Sequence, residues 1–233
     1  MSTVRGARER ARIEVTAAIK DEARKQLAAE GAAKLSLRAV ARELGMVSSA
    51  LYRYFPSRDE LLTALIVDAY DAVGEAAERA AAAAPGLPPT ARWTEVCRAV
   101  RAWALANPHE YALIYGSPVP GYQAPQATVE PAARVAVVLI SIVREAHTGR
   151  GLALPPLPDA LRPEAARMAA DFAPDLPPAV VAAMAAAWAQ LMGLVSFELF
   201  GQFHRVVEDR DTFFDHAAGR LAHAVGLLDG PAH

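Results

Sequence analysis

Apolar residues along this chain recur at helical spacing, and no stretch alternates one by one as a half-buried strand would. Val15, Ile19, Ala23 and Leu27 lie four residues apart and form one stripe, which predicts a first helix closed by Gly31. Ser36 is placed to cap a second helix, in which Leu37, Val40, Ala41 and Leu44 share a face and Gly45 marks the end. A third, short helix fits residues 48–55, with Leu51 and Phe55 turned inward, before Pro56 and Ser57 break it. Ser57 can cap a long fourth helix. Asp59 and Glu60 sit in its first turn, where the helix dipole favours carboxylates. Leu61, Leu62, Leu65, Ile66 and Ala69 give it an apolar face, and it runs into an alanine tract before Pro85.

Residues 85–89 form a Pro-rich breaker, and a helix follows over 91–106, stopped by Asn107 and Pro108. A short helix fits 110–115, an irregular loop 116–125, and a helix 130–147 with Val135, Leu139, Ile142 and Val143 inward. Residues 149–158 read as a second Gly- and Pro-rich loop, and 163–175 are ambiguous. Two helices close the chain, over 178–203 and 210–227. The pattern predicts an all-α fold: a three-helix head, 1–57, and a larger helical body, 58–233.

Charge adds a division that the pattern alone lacks. Residues 1–60 hold twelve Lys and Arg against eight Asp and Glu, a net +4, which leaves −6 on the remainder of a chain whose total is −2. A basic head on an acidic body fits an anionic partner for the head, or a solvated surface with chance asymmetry. With 53% hydrophobic residues the body can bury a sizeable core. The single cysteine, Cys97, excludes an intrachain disulfide and fits a reducing compartment. The Arg- and Glu-rich N-terminus is not a secretory signal, so a cytoplasmic location is expected. Residues 179–197 carry no charge and are long enough to span a bilayer. They are mostly alanine, which drives insertion weakly, and a helix buried within protein explains the same pattern, so no membrane partner is expected.

The head reads as helix, helix, tight turn, helix, with the turn at Gly45-Met46-Val47. In a helix-turn-helix the helix after the turn enters the major groove and its first residues meet base edges. Here those residues are Ser48, Ser49, Ala50, Tyr52, Arg53 and Tyr54: small or hydrogen-bonding groups with one cation. Arg38 and Arg58 stand near the starts of the second and fourth helices, where both can meet phosphates. A plain helical hairpin with polar surface residues fits the spacing too. The run from Ser36 to Leu62, however, resembles the DNA-binding signature of the TetR/AcrR family at Ser36, Gly45, Leu51, Tyr52, Tyr54, Phe55 and Arg58. It departs from that signature at Met46-Val47, where Val-Ser is usual, and at Tyr54, where His is common.

Residues 107–122 and 188–203 resemble the C-terminal domain of the TetR subgroup named for a Trp-His-Gly motif, with Trp188 and Gly193 matched and Met192 in the place of the His. The resemblance implies a sequence-specific transcriptional regulator, a repressor released from its operator by a small ligand. It implies a homodimer paired through the last two helices on near-palindromic duplex DNA. Trp103, Tyr111, Tyr115, Trp188 and Met192 fall on segments that wall the effector cavity in such folds, and their chemistry points to a neutral, lipophilic ligand. A ligand-independent architectural or adaptor DNA-binding protein is the alternative, to be distinguished by a fully packed body. No metal or cofactor is expected, since His204, His216 and His223 show no ligand spacing. No catalysis is expected either: the chain has no nucleophile elbow, phosphate loop or dinucleotide fingerprint, and Glu198 reads as a paired or capped buried acid rather than a general base.

Overall fold

The computed structural model describes residues 2–149 and 151–229. Met1, Arg150 of the second expected loop and residues 230–233 at the end of the expected body lie outside the described residues. In chain order the described helices begin with α1 (Ser2–Glu30), α2 (Leu37–Glu43), α3 (Ser48–Leu51), α4 (Arg58–Ala83) and α5 (Pro89–Ala106). They continue with α6 (Pro108–Tyr115), α7 (Val129–Thr148), α8 (Arg162–Phe172), α9 (Pro178–Leu199) and α10 (Arg210–Ala224). Among the described residues the fold is all-α, without a strand; an isolated bridge pairs Leu152 with Leu227.

The chain forms two compact units. One comprises Met1–Asp71 and Asn107–Pro131, the other Ala72–Ala106 and Ala132–His233. In the first unit, the α1 stripe of Ile19, Ala23 and Leu27 is buried in one cluster with Leu37 and Val40 of α2, Leu51 of α3, Phe55, and Leu61, Leu62 and Leu65 of α4. Ser36 caps α2 by accepting a bond from the Ala39 amide at 3.4 Å, and Ser57 caps α4 by accepting one from Glu60 at 3.1 Å. Gly45 has φ 64°, the left-handed conformation that costs glycine little, and the Met46 amide then closes the end of α2 on the Ala41 carbonyl at 2.8 Å.

The third helix is shorter than its pattern predicts. Regular α-helix stops at Leu51, and Tyr54 donates to Leu51 at 2.8 Å in a tighter i to i−3 bond. Pro56 disfavours the helical region for Phe55, which ends the segment as a turn while leaving Leu51 and Phe55 buried, as expected.

The second unit packs α5, α7, α8, α9 and α10 around Trp93, Cys97 and Val100, Leu139, Ile142 and Val143, Leu191 and Val195, and Phe214 and Leu221, all buried. The ambiguous stretch becomes α8. Pro163 stands in its first turn, and its buried face is Ala165 and Ala169, too small to stand out as a hydrophobic period. Helix α9 stops at Leu199 rather than 203, ahead of Gly201 at φ 84°. Asp209 caps α10 by accepting from the Thr212 amide at 3.1 Å. Burial pushes the Cys97 thiol well above its ordinary pKa, which suits a packed, inert side chain. By length and composition alone, α9 and residues 126–148 are apolar enough to cross a membrane.

Candidate functional site

The head presents its polar residues on one stretch of surface around the turn. Arg38 on α2 and Ser49, Tyr52 and Arg53 after the turn are exposed; Ser48 and Ala50 are half-buried. Ser36 is occupied at the start of α2, its side chain capping the helix and its amide donating to Gln26 at 3.3 Å. Tyr54 is half-buried and packs against the head core.

Arg58 has a different commitment. Its guanidinium donates to the carbonyls of Ala32 (2.8 Å), Ala33 (3.2 Å) and Leu35 (3.2 Å). It thus ties the start of α4 to the turn that joins α1 and α2, and most of its donors are spent there rather than offered to a phosphate.

The first unit also holds residues 107–131 in place. Arg24 of α1 donates to Glu110 of α6 at 2.9 Å and to Asp68 of α4 at 2.7 Å, and Lys20 meets the same Asp68 at 2.8 Å. Tyr115 stacks edge-on against Tyr70 with centroids 5.9 Å apart and lies 5.1 Å from Tyr111, which is fully buried. In the loop after α6, the Tyr122 hydroxyl bonds Thr63 at 2.9 Å.

The second unit contains a cavity of about 240 Å³ between α5, α7, α8 and α9. Trp93, Leu139, Ile140, Met168, Met184 and Trp188 line it, with the exposed Phe172 at its edge. No lining side chain carries a charge or a hydroxyl. The Nε1–H of Trp93 is buried and has no hydrogen-bond partner.

Two family models match this chain. One, described as bacterial regulatory proteins of the tetR family, covers residues 19–65; the other, a tetracyclin repressor-like C-terminal domain, covers 93–221. HTH-type transcriptional regulators of Mycobacterium tuberculosis and Mycobacterium bovis are 39% identical over 224 residues, covering 94% of this chain and 95% of theirs. The chain belongs to the TetR family. It is a helix-turn-helix transcriptional regulator that binds DNA through the head described above. Among solved structures, the regulatory protein SCO4313 is 35% identical with a TM-score of 0.75, covering 92% of this chain and 98% of its own. RolR, solved in complex with resorcinol, shares the fold at 16% identity and a TM-score of 0.53, covering 93% of this chain and 94% of its own.

For a TetR regulator the cavity is the natural place to look for an effector. Of the five expected pocket residues, Trp188 lines it. Trp103 and Met192 are half-buried on α5 and α9 and are not among the lining residues. Tyr111 and Tyr115 belong instead to the aromatic cluster of the first unit, because the segment that carries them folds with α1 and α4. Sequence reasoning missed Trp93, Met168 and Met184. The available signal was Met184 and Trp188 four residues apart on an alanine-rich helix, where large and very small side chains alternate and cannot fill the space between helices evenly.

Glu198 is paired: Arg101 donates to both its carboxylate oxygens at 2.6 and 2.7 Å, within 5.1 Å of the Phe214 ring.

Proposed function

We propose that this regulator works as a homodimer on a near-palindromic operator and lets go of it when a small, neutral, lipophilic molecule occupies the cavity of its second unit. The single observation that carries the reading is that cavity, apolar throughout and bounded by four helices. It favours an effector-responsive regulator over a ligand-independent adaptor, whose body would be packed solid. The resorcinol bound by RolR is an example of a small molecule held by a protein of this fold.

In the bound state, α3 enters the major groove. Ser48, Ser49, Ala50 and Tyr52 lie close to base edges, and Arg38 and Arg53 meet phosphates. Ser36, Tyr54 and Arg58 hold the recognition helix and its turn in position. The homodimer forms through α9 and α10, whose outer surfaces expose Phe197 and Phe213 beside a groove lined by Gly193 and Leu194. That partner, rather than a bilayer, accounts for the apolar face of α9. The protein acts in the cytoplasm, by binding and not by catalysis. A ligand that favours a head spacing incompatible with two successive half-sites releases DNA by shifting the population.

Selection of sites from a random duplex library by the purified protein tests this. The expected product is an inverted repeat whose half-sites lie about one or two helical turns apart. Recovery of a single unpaired half-site, bound by one protomer, would overturn the dimeric reading.

A further inference from the structure

The surface that the cavity presents is almost wholly carbon and sulfur. Trp93, Trp188, Met168 and Met184 supply its bulk, and alanines and branched aliphatic side chains complete it. The Trp93 Nε1–H offers a ligand no donor, since that atom is buried beyond the reach of a water-sized group. A polar atom taken into such a space gives up its hydrogen bonds to water and regains none. The mouth differs from the wall. Phe172, the last residue of α8, lines the cavity and yet is 69% exposed. It stands one turn beyond Met168 on the same face of α8. A phenylalanine ring left largely in water beside an apolar cavity gains from any apolar contact that covers it.

We infer that the ligand of this cavity is a bicyclic aromatic hydrocarbon, held by apolar contact without a hydrogen bond and covered at the mouth by the ring of Phe172. This rests on the reading of the cavity as the effector site and adds the class of molecule that the site chooses. Size sets one limit. An apolar cavity of about 150 Å³ takes up benzene, so about 240 Å³ has room for a second ring. It lies below the range of roughly 300–1,000 Å³ usual for drug-sized ligands. The wall sets the next. The ring systems of Trp93, Trp188 and Phe172 offer faces and edges to an aromatic partner, and the thioethers of Met168 and Met184 make favourable contacts with ring edges and adjust to shape. Selection then works by exclusion. A carboxylate, an ammonium group or a buried heteroatom loses its hydration without return, and a hydrocarbon has none to lose. Phe172 completes the enclosure, because the ligand covers its exposed ring as the ring covers the ligand.

Naphthalene and quinoline test this, because they share one shape and differ by a ring nitrogen that accepts a hydrogen bond. Their dissociation constants are measured by equilibrium dialysis against the full-length protein in mildly alkaline buffer, where both are neutral. A wall that offers no hydrogen bond treats them as an alkane does. The preference for naphthalene should therefore equal or exceed the ratio of their water-to-alkane partition coefficients. Phe172→Ala should weaken naphthalene binding about tenfold. The residue is exposed, so its truncation leaves the fold in place, which circular dichroism checks. Ala185→Phe, at an exposed lining position, fills the mouth and should abolish binding of both probes. A preference well below the partition ratio, with both probes still blocked by Ala185→Phe, means that the wall supplies a hydrogen bond; the hydrocarbon proposal is then overturned and the cavity remains a ligand site. An unchanged constant in Phe172→Ala would overturn the part given to that ring. If naphthalene does not bind up to its solubility limit, or Ala185→Phe leaves binding intact, the cavity reading and the hydrocarbon proposal fall together.

Discussion

Arg58 donates to three backbone carbonyls in the turn between α1 and α2, and Arg38 and Arg53 lie exposed beside the recognition segment. Three arginines of one small head therefore do different work, and substitution should separate them. On the proposed interface, Arg38→Ala and Arg53→Ala each remove a phosphate partner. Each should weaken operator binding and reduce the slope of log affinity against log salt by about one, as read by fluorescence anisotropy across a salt titration. An unchanged slope would remove that residue from the interface. Arg58→Ala removes charge-assisted bonds that hold the head together, at a cost of about 2 kcal/mol. Hydrogen exchange should show faster opening of α2, with weaker DNA binding as a secondary effect. A similar separation applies in the body. Glu198→Gln leaves the half-buried Arg101 guanidinium with the exposed Asp211 as its remaining carboxylate partner among the described residues, 2.7 Å away. Breaking a buried pair from one side costs about 3 kcal/mol, so the urea midpoint should drop while the isolated chemistry of DNA contact is untouched.

At the scale of elements, α9 is the helix whose two faces ask for two different partners. Val180, Val181, Ala187, Leu191 and Val195 are buried within the unit, whereas Phe197 is about half exposed and Gly193 has open space where a side chain would stand. A second copy of α9 can approach closely at that glycine. Phe197→Glu should cost the single chain little, since the site faces outward, and should convert dimers to monomers at micromolar concentration by light scattering. A wild-type protein that is monomeric under the same conditions would move the interface elsewhere. The same helix shows what a sequence can and cannot reveal. Caps and large apolar stripes were legible: Ser36, Gly45, Ser57 and the run from Leu61 to Leu65 placed α2, the turn and α4, because each signal is local. The length of α3 was overestimated, since the tight bonds before Pro56 are set by the proline and not by the apolar spacing. Helix α8 was unreadable because its buried face is alanine. Trp93 escaped notice for a different reason. Its position reads as ordinary core, and the space beside it exists only because α5, α7, α8 and α9 meet where Ala136 of α7, Ala185 of α9 and Ala173, just after α8, leave room. Such space depends on tertiary packing and leaves no period in the chain. Likewise the local pattern around Tyr111 and Tyr115 predicts a short helix but not which unit it joins, a choice made by Arg24, Asp68 and Glu110 far apart in sequence.

Across the second unit as a whole, ion pairs fasten helices that the apolar core already brings together, and their chemistry sets how the protein meets acid. Arg98 of α5 chelates Asp215 of α10 at 2.6 and 2.8 Å, and Arg134 of α7 holds Glu78 of α4 at 2.7 and 2.9 Å. Arg144 of α7 bonds Asp175, in the turn between α8 and α9. Hydrogen bonding from the guanidinium, with its charge, lowers the pKa of Asp215, Glu78 and Asp175 alike. A carboxylate whose pKa is lower in the folded than in the unfolded chain binds fewer protons when folded. Its stabilisation is therefore fully present above the unfolded value of about 4, and it is lost as pH falls through the folded value. The pairs are largely exposed, so salt screens them and each contributes modestly. Denaturation by urea at a series of pH values between neutrality and pH 3 should show a midpoint that is flat near neutrality and declines below about pH 4. In Asp215→Asn the neutral-pH midpoint should be slightly lower and the acid decline shallower, because one of the protonating groups is gone. Raising the salt concentration should bring the two proteins together at neutral pH. A variant that declines with acid as steeply as the wild type would show that Asp215 gains nothing from Arg98.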